Sequence, residues 1–235
     1  MKSVERISMF KPLSAWINRT HPLPARFYTH GIVDKPSCEW GTWLTLEEFG
    51  PLYKAHKMKW LGLKEARAIT KDYLDNASDL ICGLGGGWLD NEERMWILDQ
   101  LGEPPIPSLP IYLITCKDSF EEKVVYVGKT QNRTRFNGGH SASLKLHAPK
   151  FDGKEKNVYR CSIWFHNGSE YLSLDWIQPE CLACEILNSV ESQLIFYFQP
   201  ELNVFKRKSK CNKWDFYIHI QNFLEGQFLN GTFVG

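Results

Sequence analysis

Glu191 is the residue whose placement most demands a chemical account. Residues 179 to 198 read as one long helix, with Pro179 suited to its first turn. Leu182, Ile186, Val190 and Leu194 recur every fourth residue and form a buried face. Leu187, Ile195 and Phe198 widen that face into a broad apolar arc. Glu191 lies inside the arc, four residues after Leu187 and four before Ile195. Burying a carboxylate is costly unless it is paired or bound to a cation. Two readings follow: a carboxylate at the stripe edge that reaches solvent, or a metal ligand or catalytic acid. Other residues with chemical potential stand at intervals before and after it. Tyr112 falls in the β-rich run Ile111-Tyr112-Leu113-Ile114-Thr115, and Tyr126 opens Tyr126-Val127-Gly128-Lys129-Thr130. Arg135 and His140 follow, and Asn203 closes Pro200-Glu201-Leu202-Asn203. Taken singly, each has an ordinary explanation. Tyrosines in strands pack, cations after a turn are solvated, and an asparagine closes a turn.

Taken in order, the series resembles the GIY-YIG nuclease superfamily. Its domain opens with two tyrosine-bearing motifs on a hairpin, followed by an arginine, a histidine, a helix glutamate and an asparagine. The resemblance covers about residues 109–205. It has three departures. Pro110 stands where the family usually has glycine, which the first residue of a strand tolerates. The tyrosines are fourteen apart, a little wider than usual. Arg135 and His140 are five apart with Gly138-Gly139 between them, whereas the family spacing stacks the two on one helix face. Arg133, seven before His140, would share its face on a regular helix and is the alternative arginine.

The resemblance implies a metal-dependent endonuclease that hydrolyses nucleic-acid phosphodiester bonds, with double-stranded DNA as the expected partner and a restriction-like or anti-phage setting. Glu191 would hold one Mg²⁺ (or Mn²⁺), with waters and the substrate phosphate filling the rest of the shell. Tyr112 would activate the attacking water, with Tyr126 beside it. Lys129 and Arg135 would stabilise negative charge on the scissile phosphate. His140 would bind that phosphate or assist proton transfer, and Asn203 would hold the site in shape. The alternative is a non-catalytic nucleic-acid-binding module on the same fold. Lys206, Arg207, Lys208 and Lys210 follow directly and would touch the phosphate backbone, supplying affinity rather than sequence choice; otherwise they form a solvated tail.

Two further motifs carry less. Cys181-Leu182-Ala183-Cys184 is a lone CxxC without a second pair at ligand spacing, so packing within the helix is expected. Gly83-Leu84-Gly85-Gly86-Gly87 lacks the Lys-Ser/Thr of a phosphate loop and reads as a turn.

The elements that would position the site divide at Glu103-Pro104-Pro105-Ile106-Pro107-Ser108-Leu109-Pro110, where four prolines exclude a helix or central strand. Before this seam, residues 1–104 are expected to form an aromatic-rich, mainly helical accessory domain. Thr45-Leu46-Glu47-Glu48 reads as a capping box opening a helix; a second helix is expected over about Leu63 to Leu74, and Asp90-Asn91-Glu92-Glu93 starts a third, leading to Leu98. After the seam, the runs at 111–115 and 124–127 predict a hairpin, and Tyr159 to Phe165 a third strand. The expected fold class is α+β: a small antiparallel sheet flanked by helices over 105–205, the helical N-terminal domain, and a basic extension over 206–235.

Composition supports a folded chain. Of 235 residues, 43% are hydrophobic and 23% charged, which excludes collagen-like, low-complexity and mostly disordered chains. No apolar run reaches the length of a membrane helix, and the start leads into no signal-peptide core. No membrane partner is expected, and a cytoplasmic protein is. The seven cysteines are odd in number and scattered, which suits reduced thiols. Net charge is +1, but residues 151–204 carry −5 between segments of +3 at 101–150 and 205–235. A homo-oligomer is compatible with all of this.

Overall fold

The computed structural model describes residues 11–24, 41–58, 60–84, 87–130, 136, 141–166, 171–205, 213–224 and 226–235. In chain order these form α1 (Pro12–Ile17), β1 (Gly41–Pro51), α2 (Leu63–Leu80), α3 (Asn91–Leu101), β2 (Ile111–Lys117), β3 (Glu122–Lys129), α4 (Ser141–Lys145), β4 (Glu155–His166), β5 (Tyr171–Ser173), α5 (Glu180–Phe198), β6 (Ile218–Asn222) and β7 (Thr232–Val234). The strands make one seven-stranded sheet in the order β3-β2-β4-β1-β6-β7, with β5 paired to β4. Among the described strands, only the β1–β6 pairing is parallel. The protein is a mixed α+β structure.

Successive side chains of a strand point to opposite faces, and β2 builds two cores by this rule. Ile111 and Leu113 enter one core, and Tyr112, Ile114 and Cys116 enter the other. The first is filled by α5, whose Leu182, Ile186, Val190 and Leu194 are all buried as the four-residue period requires. Leu44 and Leu46 of β1, Ile163 and Phe165 of β4, and Ile218 and Ile220 of β6 meet them. Each such side chain contributes about 1.5–3 kcal/mol when fully buried. Over the second face lie Trp60, Ala142, Leu146 and Phe151. A third cluster joins α1, α2 and α3 through Trp16, Leu74 and Ile97, and includes Leu172 and Trp176 from beyond the seam.

The hairpin, the third strand and the long helix lie where the sequence places them. The helix at Leu63 runs on to Leu80. Asp90 caps α3 with a reciprocal box: its carboxylate accepts from the Glu93 N–H at 2.8 Å, and the Glu93 carboxylate accepts from the Asp90 N–H at 2.8 Å. Thr45 is a correction. It opens no helix but lies inside β1, opposite Ser162 of β4 and Gln221 of β6. Its hydroxyl donates to the Glu47 carboxylate at 2.7 Å and meets Ser162 Oγ, while the Trp164 indole N–H donates to Ser162 Oγ at 2.7 Å. Pairing with strands more than a hundred residues away outweighs a local capping pattern. The CxxC is a second correction: Cys181 and Cys184 are exposed on α5 rather than packed.

The proline-rich seam is docked. Residues 107–110 are buried. Ser108 donates from its N–H at 3.0 Å and its hydroxyl at 2.9 Å to the buried Asp175 carboxylate, and the Leu109 N–H donates to Leu61 O at 2.9 Å. Arg67 of α2 reaches across as well, donating to Asp175 O (3.0 Å), Ile177 O (2.7 Å) and Gln178 Oε1 (2.7 Å). The sheet itself draws strands from both sides of the seam, β1 from before it and the other six from after it. Among the described residues, no helix is long and apolar enough to cross a membrane.

Candidate active site

Strand β3 is an edge of the sheet, and its last four residues collect five of the seven catalytic candidates named above: Tyr112, Tyr126, Lys129, Glu191 and Asn203. Tyr126 stacks on Tyr112 of β2, with ring centroids 5.9 Å apart and planes 29° apart. Gly128 lies opposite Tyr112. A Cβ on Gly128 would fall 2.5 Å from Cζ and Oη of Tyr112 and 2.6 Å from Cε1 of Tyr126. The tyrosine pair therefore requires a residue without a side chain there. Trp60 and Phe136 complete the aromatic box: both meet the Tyr112 ring edge-on, at 5.6 and 5.4 Å, and they stack on each other at 4.4 Å. Tyr112 is fully enclosed, whereas Tyr126 is half-buried.

Arg160 of β4 is the cross-strand neighbour of Tyr112. It is 1% exposed, its guanidinium lies 5.5 Å from the centre of the Trp60 ring, and its Nη2 pairs with Glu48. Its Nε and Nη1 have no partner among the described residues. Burial draws its pKa down to about 10, since loss of hydration disfavours the charged form.

Asn203 binds the open edge of β3. Its Oδ1 accepts from the Val127 N–H at 2.9 Å, and its Nδ2 donates to Val127 O at 2.9 Å. The neighbouring Leu202 N–H donates to Val125 O at 3.0 Å. Residues 202–203 thus satisfy the groups an edge strand leaves unpaired, and they fix the backbone between Tyr126 and Gly128.

Lys129 ends the strand on its α5 side. Its ammonium lies 3.4 Å from Glu191 Oε2 and donates to Asn188 Oδ1. Glu191 is 9% exposed, so the stripe-edge reading with the carboxylate out in solvent does not hold. Lys129 supplies the opposite charge that a buried carboxylate needs. The tyrosines belong to the core beneath Trp60, whereas Lys129 and Glu191 lie on the opposite, α5 side. The two pairs straddle one edge strand, three residues or roughly 10 Å apart along it. Glu191 offers a single carboxylate, which suits a Mg²⁺ ion that keeps most of its waters and takes the rest of its shell from substrate phosphate. Among the described residues, no three His, Cys, Asp or Glu side chains cluster to hold a metal by themselves. Arg133, Arg135, His140, Lys206, Arg207, Lys208 and Lys210 lie outside the described residues.

Sequence reasoning missed Trp60, Phe136, Arg160 and Asn188. A cation inside the otherwise apolar run Val158-Tyr159-Arg160-Cys161 was a signal for Arg160; nothing in spacing marks the other three. Comparison with family models, with curated proteins and with solved structures finds no match for this chain.

Proposed function

We propose that the chain is a metal-dependent endonuclease of the GIY-YIG type, acting on DNA. One observation carries the reading. Residues far apart in sequence converge on four consecutive positions of β3: Tyr112 on Tyr126 and Gly128, Asn203 on Val127, and Glu191 on Lys129. These residues belong to the ordered set on which the family resemblance rests; Arg135 and His140, its other members, lie outside the described residues. The antiparallel order β3-β2-β4, with the tyrosine-bearing hairpin first, is further support.

In this reading Glu191 holds Mg²⁺, which stabilises charge on the phosphate and leaving oxygens. Lys129 neutralises Glu191 in the free protein and meets the scissile phosphate when substrate is bound, with Arg135 adding a second cation. We assign the attacking water to the half-buried Tyr126 and the holding of its ring to the enclosed Tyr112, whereas the resemblance alone puts Tyr112 first. Asn203 keeps β3 in register.

A second reading has its own observation. The Lys129–Glu191 pair accounts for the buried carboxylate without any metal, as a non-catalytic nucleic-acid-binding module would require. Plasmid nicking separates the two. The nuclease converts supercoiled DNA to nicked or linear forms with Mg²⁺ or Mn²⁺ and not with chelator. Retention of the same DNA without any cleavage, with either metal, supports the binding module instead.

A further inference from the structure

Where β1 ends and β4 begins there is an open cavity of about 650 Å³, which borders the core of Tyr112 at Leu52 and Leu146. That volume lies within the range of small-ligand sites. Its lining includes Phe49, Leu52, Tyr53, His147, Lys154 and Lys156. Tyr53 is 73% exposed and Phe49 48% exposed, so both rings are open to a stacking partner. Lys54, on the same turn, lies 5.4 Å from the centre of the Tyr53 ring. His56 and Lys57 are exposed on that turn too. Against these cations the lining holds one carboxylate, Glu155, and Lys154 is paired with Asp118 at 3.4 Å. Lys156 pairs with Cys116, which packs on the same face as Tyr112. Arg160, beside Tyr112, is four residues further along β4, so the cavity lies roughly 13 Å along the strand from the tyrosine pair.

We propose that this cavity takes an unpaired nucleobase of the nucleic-acid strand whose cleavage is assigned to β3, with Lys154 and Lys156 meeting the adjoining phosphates. The inference rests on the nuclease reading and adds a substrate feature to it: a single-stranded stretch beside the cleaved bond. Exposed aromatic rings flanked by lysines are the chemistry of single-strand binding, because every base has a face to stack and every link a charge. A fully paired duplex keeps its bases stacked inside and offers nothing to Tyr53. A small free ligand is the poorer fit, because Tyr53 and Phe49 leave the cavity open to solvent rather than enclosing a ligand within it.

The test is fluorescence anisotropy of the full chain in chelator, with a labelled oligonucleotide presented single-stranded or as a blunt duplex. Tyr53→Ala weakens single-strand binding about tenfold, the scale of one base stacked on an aromatic ring, and leaves duplex binding within about twofold. Tyr53→Phe restores it, since the ring and not the hydroxyl does the stacking. Lys154→Gln with Lys156→Gln lowers the single-strand salt slope by about 1.4, at about 0.7 per phosphate contact. Equal binding of single strand by parent and Tyr53→Ala overturns the proposal, as does an equal loss on both forms. Either result leaves the nuclease reading standing if plasmid is still nicked with Mg²⁺. A parent chain that binds neither form and nicks nothing removes both.

Discussion

At the scale of single residues, the site depends on what Gly128 lacks. Any Cβ there meets the Tyr112 phenol and the Tyr126 ring at once, and Tyr112 cannot retreat, since Trp60 and Phe136 hold its other sides. Gly128→Ala should cost about 1–3 kcal/mol, the usual range for overpacking, and should lower the cleavage proposed above by separating the tyrosines. Urea denaturation gives the first and single-turnover cleavage the second; a neutral substitution would mean that the stack does not constrain the site. Asn203 makes a different demand. Asn203→Ala leaves the Val127 N–H and C=O without partners, at about 1–3 kcal/mol for a buried polar group stranded from water. The same unfolding measurement checks it, and a cost below a few tenths would show that water replaces the amide. The tyrosines should separate by exposure: Tyr126→Phe removes cleavage at saturating substrate, whereas Tyr112→Phe keeps a measurable rate, and the opposite ranking would restore Tyr112 as the group that meets water. Of these residues, Tyr112, Tyr126, Glu191 and Asn203 were legible from type and order. Trp60 was not, because it reaches the site from about fifty residues before the hairpin, and the cation in an apolar run that marks Arg160 does not say that Tyr112 is its cross-strand neighbour.

At the scale of elements, α5 and the hairpin were readable because their signals are local. A four-residue apolar period and two β-rich runs each fit within twenty residues, and the cores behind them differ only in face. Strand β1 was misread because its evidence is nonlocal. Thr45-Leu46-Glu47-Glu48 satisfies a capping pattern, and only pairing with Ser162 and Gln221 shows that Leu44 and Leu46 belong to a strand. The short β5, β6 and β7 carry too few residues for any period to stand out. α5 is tied to the last part of the sheet by a side-chain amide, as Asn203 is tied to β3. Gln193 Oε1 accepts from the Phe216 N–H at 3.2 Å, and its Nε2 donates to Phe216 O. One helix therefore touches Lys129 of the edge strand β3 through Glu191 and the approach to β6 through Gln193.

At the scale of the whole molecule, β1 stands between β4 and β6. Removing residues 1–104 would take away one of the strand partners of ten β4 positions and of every paired β6 position, although β2 and β7 would still pair with part of each. It would also expose Ile163, Phe165, Ile218 and Ile220, which are buried in the intact sheet. The fragment 105–235 should therefore fail to give a cooperative thermal transition and should be rapidly digested by protease at low concentration. A fragment that melts cooperatively and nicks plasmid would mean that the hairpin, β4 and α5 suffice. The central claim is that Glu191, although already neutralised by Lys129, is the carboxylate through which metal acts. Its most direct test is nicking of supercoiled plasmid by Glu191→Gln at ordinary Mg²⁺, beside a melting curve of the same preparation. The account predicts no cleavage above background, with a melting temperature close to the parent's, because glutamine keeps the volume and can still accept from the Lys129 ammonium. Cleavage at the parental rate from the folded variant would contradict it and leave Glu191 as the structural partner of a lysine.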